Sequence, residues 1–225
     1  MTGAFGSQRH TKESRAIAEA DHPPSAFVQR IKTRINPNGE NRDAVIAITG
    51  PEGVGKSTCG FVLASQIDPE GFSTDRVAWT TQDYFEVCQA APHGSVVMRD
   101  EGVGGLNRRA ATTRENRDLT EFLYIARALN LAHIVCFPRF GSLDFLLTQH
   151  RLWAWIRVKQ RGKAEVRLRD RRVPVADEEP EALDAFPLAA RMSFPKVDTE
   201  EWDRYEREKE KYLQRDLNAR LDRYD

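Results

Sequence analysis

Four glycines and a lysine–serine–threonine run lie within thirteen residues of the chain, in ITGPEGVGKSTCG at 48–60. The stretch fits the pattern G-x-x-x-x-G-K-[ST] as Gly50, Pro51, Glu52, Gly53, Val54, Gly55, Lys56 and Ser57, with Thr58 the next hydroxyl. Glycines without Cβ let the backbone curl so that successive N–H groups face an anion, and a helix beginning at the end of the loop adds the positive end of its dipole. Lys56 is then expected to reach the terminal phosphates of a nucleoside triphosphate, and Ser57 to ligate Mg2+.

A second constellation follows about forty-five residues later. In SVVMRDEG, Val96, Val97 and Met98 run into Arg99, Asp100 and Glu101, so an acidic pair emerges at the carboxyl end of a strand, where open α/β sheets bind ligands. An aspartate there suits a Mg2+ shell, and an adjacent glutamate suits orienting water for attack on a γ-phosphate. ATP and Mg2+ are the cofactors this pairing calls for, with Ser57 and Asp100 as metal ligands and Lys56 and Glu101 as catalytic groups.

For these residues to meet, a strand must precede the loop and a helix must follow it. AVIAIT (44–49) is a continuous apolar run, as in a strand buried on both faces of a parallel sheet, and KSTCGFVLASQI (56–67) reads as a helix. SAFVQRIKTRI predicts an earlier helix, RVAWTT (76–81) a strand, QDYFEVCQAA a short helix and AHIVCF (132–137) another buried strand. Such alternation predicts a parallel sheet with helices on both faces. RLWAWIRVKQ and KAEVRLRD, separated by RG, predict a β-hairpin, and DTEEWDRYEREKEKYLQRDLNARLDRYD a long amphipathic helix whose stripe holds Trp202, Tyr205, Tyr212, Leu213, Leu217, Leu221 and Tyr224. The expected organisation is a mobile arm at 1–24, a core with its hairpin at 25–172, a loop at 173–197 and a carboxy-terminal helix at 198–225.

The two motifs together resemble the P-loop NTPases of the additional-strand, catalytic-glutamate division, and within it the FtsK–HerA group with its zonula occludens toxin-like relatives. The resemblance spans roughly residues 44–160. It implies a three-layer α/β sandwich around a mainly parallel sheet ordered 5-1-4-3-2, with AHIVCF inserted between the motif strands and the hairpin at an edge. It also implies an oligomer, in some relatives a ring, whose site is completed by an arginine. Arg108 and Arg109 are the favoured candidates, with Arg114, Arg117, Arg127 and Arg139 further along. The inserted strand of that group usually ends in a polar sensor. Here it ends in Phe137, Pro138 and Arg139, which leaves that role unassigned.

In a regular strand, Trp153, Trp155, Arg157 and Lys159 would share one face of the hairpin, and Lys163, Arg167 and Arg169 would add charge from the return strand. With Arg161 at the turn, this basic and aromatic face is a candidate for duplex DNA, although the same charges also serve to protect a sheet edge from aggregation. Global charge recruits no polyanion, since Lys plus Arg and Asp plus Glu both total 34. Cys59, Cys88 and Cys136 have no paired spacing, and no run of ~18 uncharged apolar residues occurs. Both features fit a reducing cytoplasm and no membrane.

Three classes of function stay open at this point. The first is an ATPase that moves or remodels a macromolecule, with DNA packaging, transfer or segregation in view. The second is a small-molecule or nucleotide kinase, against which the Asp100–Glu101 pair speaks, because a kinase must exclude water. The third is a nucleotide-gated assembly protein with little turnover.

Overall fold

The computed structural model describes residues 25–100, 108–176 and 179–222. The expectations for the arm at 1–24, for Glu101 and for the side chains of Arg108, Arg109 and Arg114 lie outside what is described.

The order of elements is α1 (Ser25–Ile35), β1 (Ala44–Thr49), α2 (Lys56–Ile67), β2 (Val77–Ala78), α3 (Thr81–Ala90), β3 (Val96–Arg99), α4 (Arg108–Ile125), β4 (Ala132–Phe137), β5 (Leu152–Gln160), β6 (Lys163–Leu168), α5 (Glu179–Ala185), β7 (Leu188–Ser193) and α6 (Glu200–Leu221). The strands form one mixed sheet in the order β2-β3-β4-β1-β5-β6-β7. β2, β3, β4, β1 and β5 run parallel, and β6 and β7 continue the sheet antiparallel. The expected five-strand order is therefore extended by two strands rather than reproduced. The hairpin is not an edge: β5 is hydrogen-bonded on both sides, β6 pairs with β7, and β7 forms the border.

Side-chain alternation sorts the core into two layers. Ile46 and Ile48 of β1 face the layer of α1 and α2 with Phe61, Met98, Ile134 and Tyr205, while Val45 and Ala47 face the opposite layer with Tyr84, Leu123, Val135 and Phe186. All six residues of β1 and of β4 are buried, as central parallel strands covered on both faces require. Among the described residues no helix is long and apolar enough to cross a membrane.

Three sequence expectations need correction. Residues 173–197 are not a loop throughout, because they contain α5 and β7; α5 is only seven residues long, and in LAARMS only Met192 is buried, so neither element has a strong periodic signal. The arginine-rich stretch NRRAATTRENRD reads from the sequence as a polar segment ahead of a helix in LTEFLYIARALNL, but it is helical from Arg108 as the first half of α4. Trp153 and Trp155 do not share a face. β1 residues Val45 and Ile46 align with Leu152 and Ala154, so Trp153 is an extra residue in the ladder, and this bulge resets the alternation. Trp153 stacks on Phe27 of α1 at 5.9 Å, whereas Trp155 is fully buried against Phe140 and Phe186.

Candidate nucleotide and metal site

The loop between β1 and α2 is shaped by two glycines whose replacement the geometry forbids. A Cβ on Gly50 would meet the carbonyl oxygen of Val158 at 2.6 Å. Gly55 caps α2 in a left-handed conformation, φ 92° and ψ 36°, beside the ring of Phe194. No acidic residue occupies the first turn of α2, so nothing there opposes an incoming anion. The Lys56 ammonium donates to the carbonyls of Gly50 and Pro51, at 2.9 and 3.0 Å, and so closes over its own loop. Glu52 and Gly53 at the loop tip are exposed, while Val54, Lys56, Ser57 and Thr58 are half-buried.

Asp100 lies directly beyond β3, and its N–H is fixed to the carbonyl of Ala78, the last residue of β2, at 3.0 Å. This places its carboxylate at the carboxyl end of the sheet, where the Ser57 hydroxyl donates to it, 3.1 Å from Oδ1 and 3.0 Å from Oδ2. The two predicted metal ligands thus meet, although 43 residues separate them in the chain. Arg99, whose charge interrupts the apolar approach to Asp100, is buried and reaches the Thr81 hydroxyl at 3.4 Å.

Two further side chains converge on the same carboxylate, both from α6. Tyr205 donates its hydroxyl to Asp100 Oδ2 at 2.5 Å. Lys209, one turn further on, lies 2.8 Å from Asp100 Oδ2, 3.1 Å from Ser57 Oγ and 3.3 Å from the Tyr205 hydroxyl. Burial, and next the Asp100 charge beside it, hold the Tyr205 phenol well above its ordinary pKa, so it remains a donor at neutral pH. Neither residue was expected at the site. The available signal was a lysine seven residues after Trp202 and four after Tyr205, a cation in the middle of an otherwise apolar stripe.

The donor set fits a divalent cation. A hydroxyl and a carboxylate already share one cationic group, the Lys209 ammonium, and both are hard oxygen donors of the kind Mg2+ prefers. Among the described residues no cluster of three or more His, Cys, Asp or Glu could hold a metal unaided. Such a site would rely on ligand oxygens to complete the shell.

α6 reaches this position through an aromatic cluster. Phe61 of α2 meets Phe72, Trp202 and Tyr205 edge-on at 5.1–5.5 Å, Trp202 stacks on Tyr205 at 4.7 Å, and Trp79 packs against Tyr205 and Tyr212. Buried Glu201 accepts from the Thr74 N–H at 2.5 Å, and Arg204 pairs with Asp75. Toward the far end of the helix, Leu217 and Leu221 are exposed.

No family model matches the chain, and no curated protein sequence does. Of solved structures, a chain in the HORMA:CdnC:Trip13 complex of Escherichia coli MS115-1 aligns at 14% identity, with a TM-score of 0.27, over 62% of this chain and 57% of that one. The chain thus spans little more than half the length of that neighbour.

The remaining predicted residues divide into two groups. In the hairpin, Arg157 and Arg167 pair with Glu165 at 3.3 and 3.0 Å, and Arg169 donates to the carbonyls of Asp170 and Val173. Glu165 thus interrupts the continuous basic face expected there. Lys159, Arg161 and Lys163 are exposed at the tip. Arg161 donates to the Gly53 carbonyl at 3.1 Å, which brings the tip against the glycine loop. Of the arginines after the acidic pair, Arg117, Arg127 and Arg139 are exposed. Phe137, at the end of β4, is buried in the apolar layer and supplies no polar group. The three cysteines are buried free thiols, and burial raises all three pKa values, that of Cys88 to about 12.

Proposed function

We propose that the chain is a Mg2+-dependent nucleoside triphosphatase, with ATP as its nucleotide. The observation that carries this reading is the meeting of Ser57 and Asp100 beside a glycine loop that ends at a helix amino terminus. In this reading, β- and γ-phosphate oxygens take the place of the Gly50 and Pro51 carbonyls at the Lys56 ammonium. The lysine exchanges neutral partners for charged ones, and stronger charge-assisted bonds result. Ser57 and Asp100 would hold Mg2+, which when bound neutralises charge on the phosphate oxygens. Glu101, next in the chain, has the chemistry to orient the attacking water.

Arg161 supports the same reading. It is a cation from the chain's own hairpin already resting on the loop, and so a stronger candidate for sensing the phosphates than Arg108 or Arg109. Coupling to duplex DNA, within an oligomer, is the wider proposal; its support has contracted to the three exposed cations at the hairpin tip. One observation favours the alternative of a nucleotide-gated assembly protein with little turnover: Lys209 already neutralises the carboxylate that the metal needs.

The test is ATP binding and steady-state phosphate release by wild type, Lys56→Met, Asp100→Asn and Glu101→Gln, each with and without duplex DNA. Hydrolysis by wild type that is lost in Glu101→Gln with binding retained supports the enzyme, and stimulation by DNA supports the motor. Binding without release in every condition points to the gated assembly protein. If wild type binds no ATP, the nucleotide reading is wrong.

A further inference from the structure

We infer that Lys209 is the resident counter-ion of the metal half-site, and that a divalent cation enters by exchanging with its ammonium group. The inference deepens the proposed function, because it rests on Ser57 and Asp100 being metal ligands. The Asp100 side chain is only 3% exposed. A carboxylate so far from water requires a compensating charge, and among the described residues Lys209 supplies the one ion pair that Asp100 makes. An ammonium group has three N–H donors, and three oxygens lie within hydrogen-bond distance: those of Asp100, Ser57 and Tyr205. The lysine therefore uses its whole donor capacity here, and two of its three bonds go to the oxygens that a metal would need.

The two cations cannot share the position. The ammonium sits 2.8–3.1 Å from the Asp100 and Ser57 oxygens, whereas Mg2+ needs ligands at about 2.0–2.1 Å and would be strongly repelled by a positive charge among them. The fold supplies an exit for one partner only. Tyr205 is fully buried in the aromatic cluster, while the Lys209 side chain is 22% exposed and carries a flexible four-carbon stem. Exchange thus needs the lysine to swing toward solvent, without undocking of α6. Tyr205 remains as a positioning residue that fixes the Asp100 carboxylate in both states. The apparent metal affinity is then a competition constant, set by a residue 152 positions away from Ser57 in the chain.

The experiment is a Mn2+ titration of the full chain followed by electron paramagnetic resonance, without nucleotide. The variants are Lys209→Met, Lys209→Gln and Lys211→Met. Removal of the competing charge should tighten Mn2+ binding by on the order of tenfold in both Lys209 variants. Lys211→Met, which removes an exposed charge two residues away, should match wild type. Unchanged or weaker Mn2+ binding in whichever Lys209 variants fold overturns the inference, as does an equal gain in Lys211→Met. Binding of an ATP analogue, measured on the same samples both with Mn2+ and in EDTA, separates the two readings. Tighter Mn2+ with no analogue bound sustains the exchange and removes the nucleotide. An analogue that binds while Mn2+ affinity stays fixed sustains the nucleotide and removes the exchange.

Discussion

Two lysines lie at the carboxyl end of the sheet, and they are held in opposite ways. Lys56 comes from the loop that it closes, and its bonded partners are the neutral carbonyls of Gly50 and Pro51. Lys209 comes from the far end of the chain, and its main partner is a buried carboxylate. The first lysine has weak bonds to give up when an anion arrives; the second has a strong one to give up when a cation does. Replacing them by methionine should move ligand binding in opposite directions.

The largest effect is expected from removing what docks α6. Phe61 is fully buried and touches Phe72, Trp202 and Tyr205. Phe61→Ala should cost about 3–5 kcal/mol in unfolding free energy, measured by urea denaturation. It should also loosen the docking of Lys209, so Mn2+ should meet weaker competition and bind more tightly in the surviving folded protein even as stability falls. A loss of stability with metal affinity unchanged would show that the helix does not control the half-site.

Next in size is Lys56→Met. A charge-assisted bond to phosphate is worth up to ~3 kcal/mol, so ATP binding should weaken by on the order of a hundredfold in a calorimetric titration. Mn2+ binding in the absence of nucleotide should hardly change, because Lys56 makes its bonds to loop carbonyls and not to Ser57 or Asp100. Equal loss of both ligands would erase the distinction between the two lysines.

The difference between these regions is also the difference between what the sequence discloses and what it hides. β1, α2 and β4 were legible to the residue because each combines an uninterrupted apolar run or a helix start with a loop whose glycines are needed locally. Asp100 was legible because an apolar strand delivered it to the end of the sheet. Lys209 was not, because its role depends on the docking of α6 against Phe61 and Trp79, a tertiary event with no local spacing rule. The hairpin forms where expected, but its faces were misread for a related reason. Alternation predicts faces only while the ladder is regular, and the extra residue at Trp153 shifts Trp155 into the core, where its indole N–H finds Thr49 Oγ1 at 2.8 Å. Glu165 then captures Arg157 and Arg167, a cross-strand and same-strand pairing that counting cations on a face does not anticipate. β7 was missed because five of its six residues are at least partly exposed, which leaves almost no hydrophobic alternation to read.

A buried titratable group on the other face of the sheet provides the smallest and cleanest contrast with Asp100. His133 of β4 is fully buried, its Nδ1 is 2.6 Å from the Tyr84 hydroxyl, and no carboxylate is bonded to it among the described residues. Where Asp100 has the Lys209 ammonium beside it, His133 is kept neutral: burial first, and the charge of Arg151 second, lower its pKa to about 3. The unfolded chain takes up a proton near pH 6.5, the folded one only near pH 3, so between these values the unfolded state binds more protons. Stability from this group is therefore complete above pH 6.5 and falls as the pH drops toward 3, with a limiting slope of ~1.4 kcal/mol per pH unit. His133→Asn leaves an acceptor for Tyr84 but has nothing to titrate. It should flatten the acid limb of the stability curve between pH 4 and 6 by up to ~1.4 kcal/mol per pH unit, read from urea unfolding at stepped pH. An unaltered slope would mean that His133 is protonated in the folded protein, and that this face of the sheet tolerates an uncompensated charge which the Asp100 face does not.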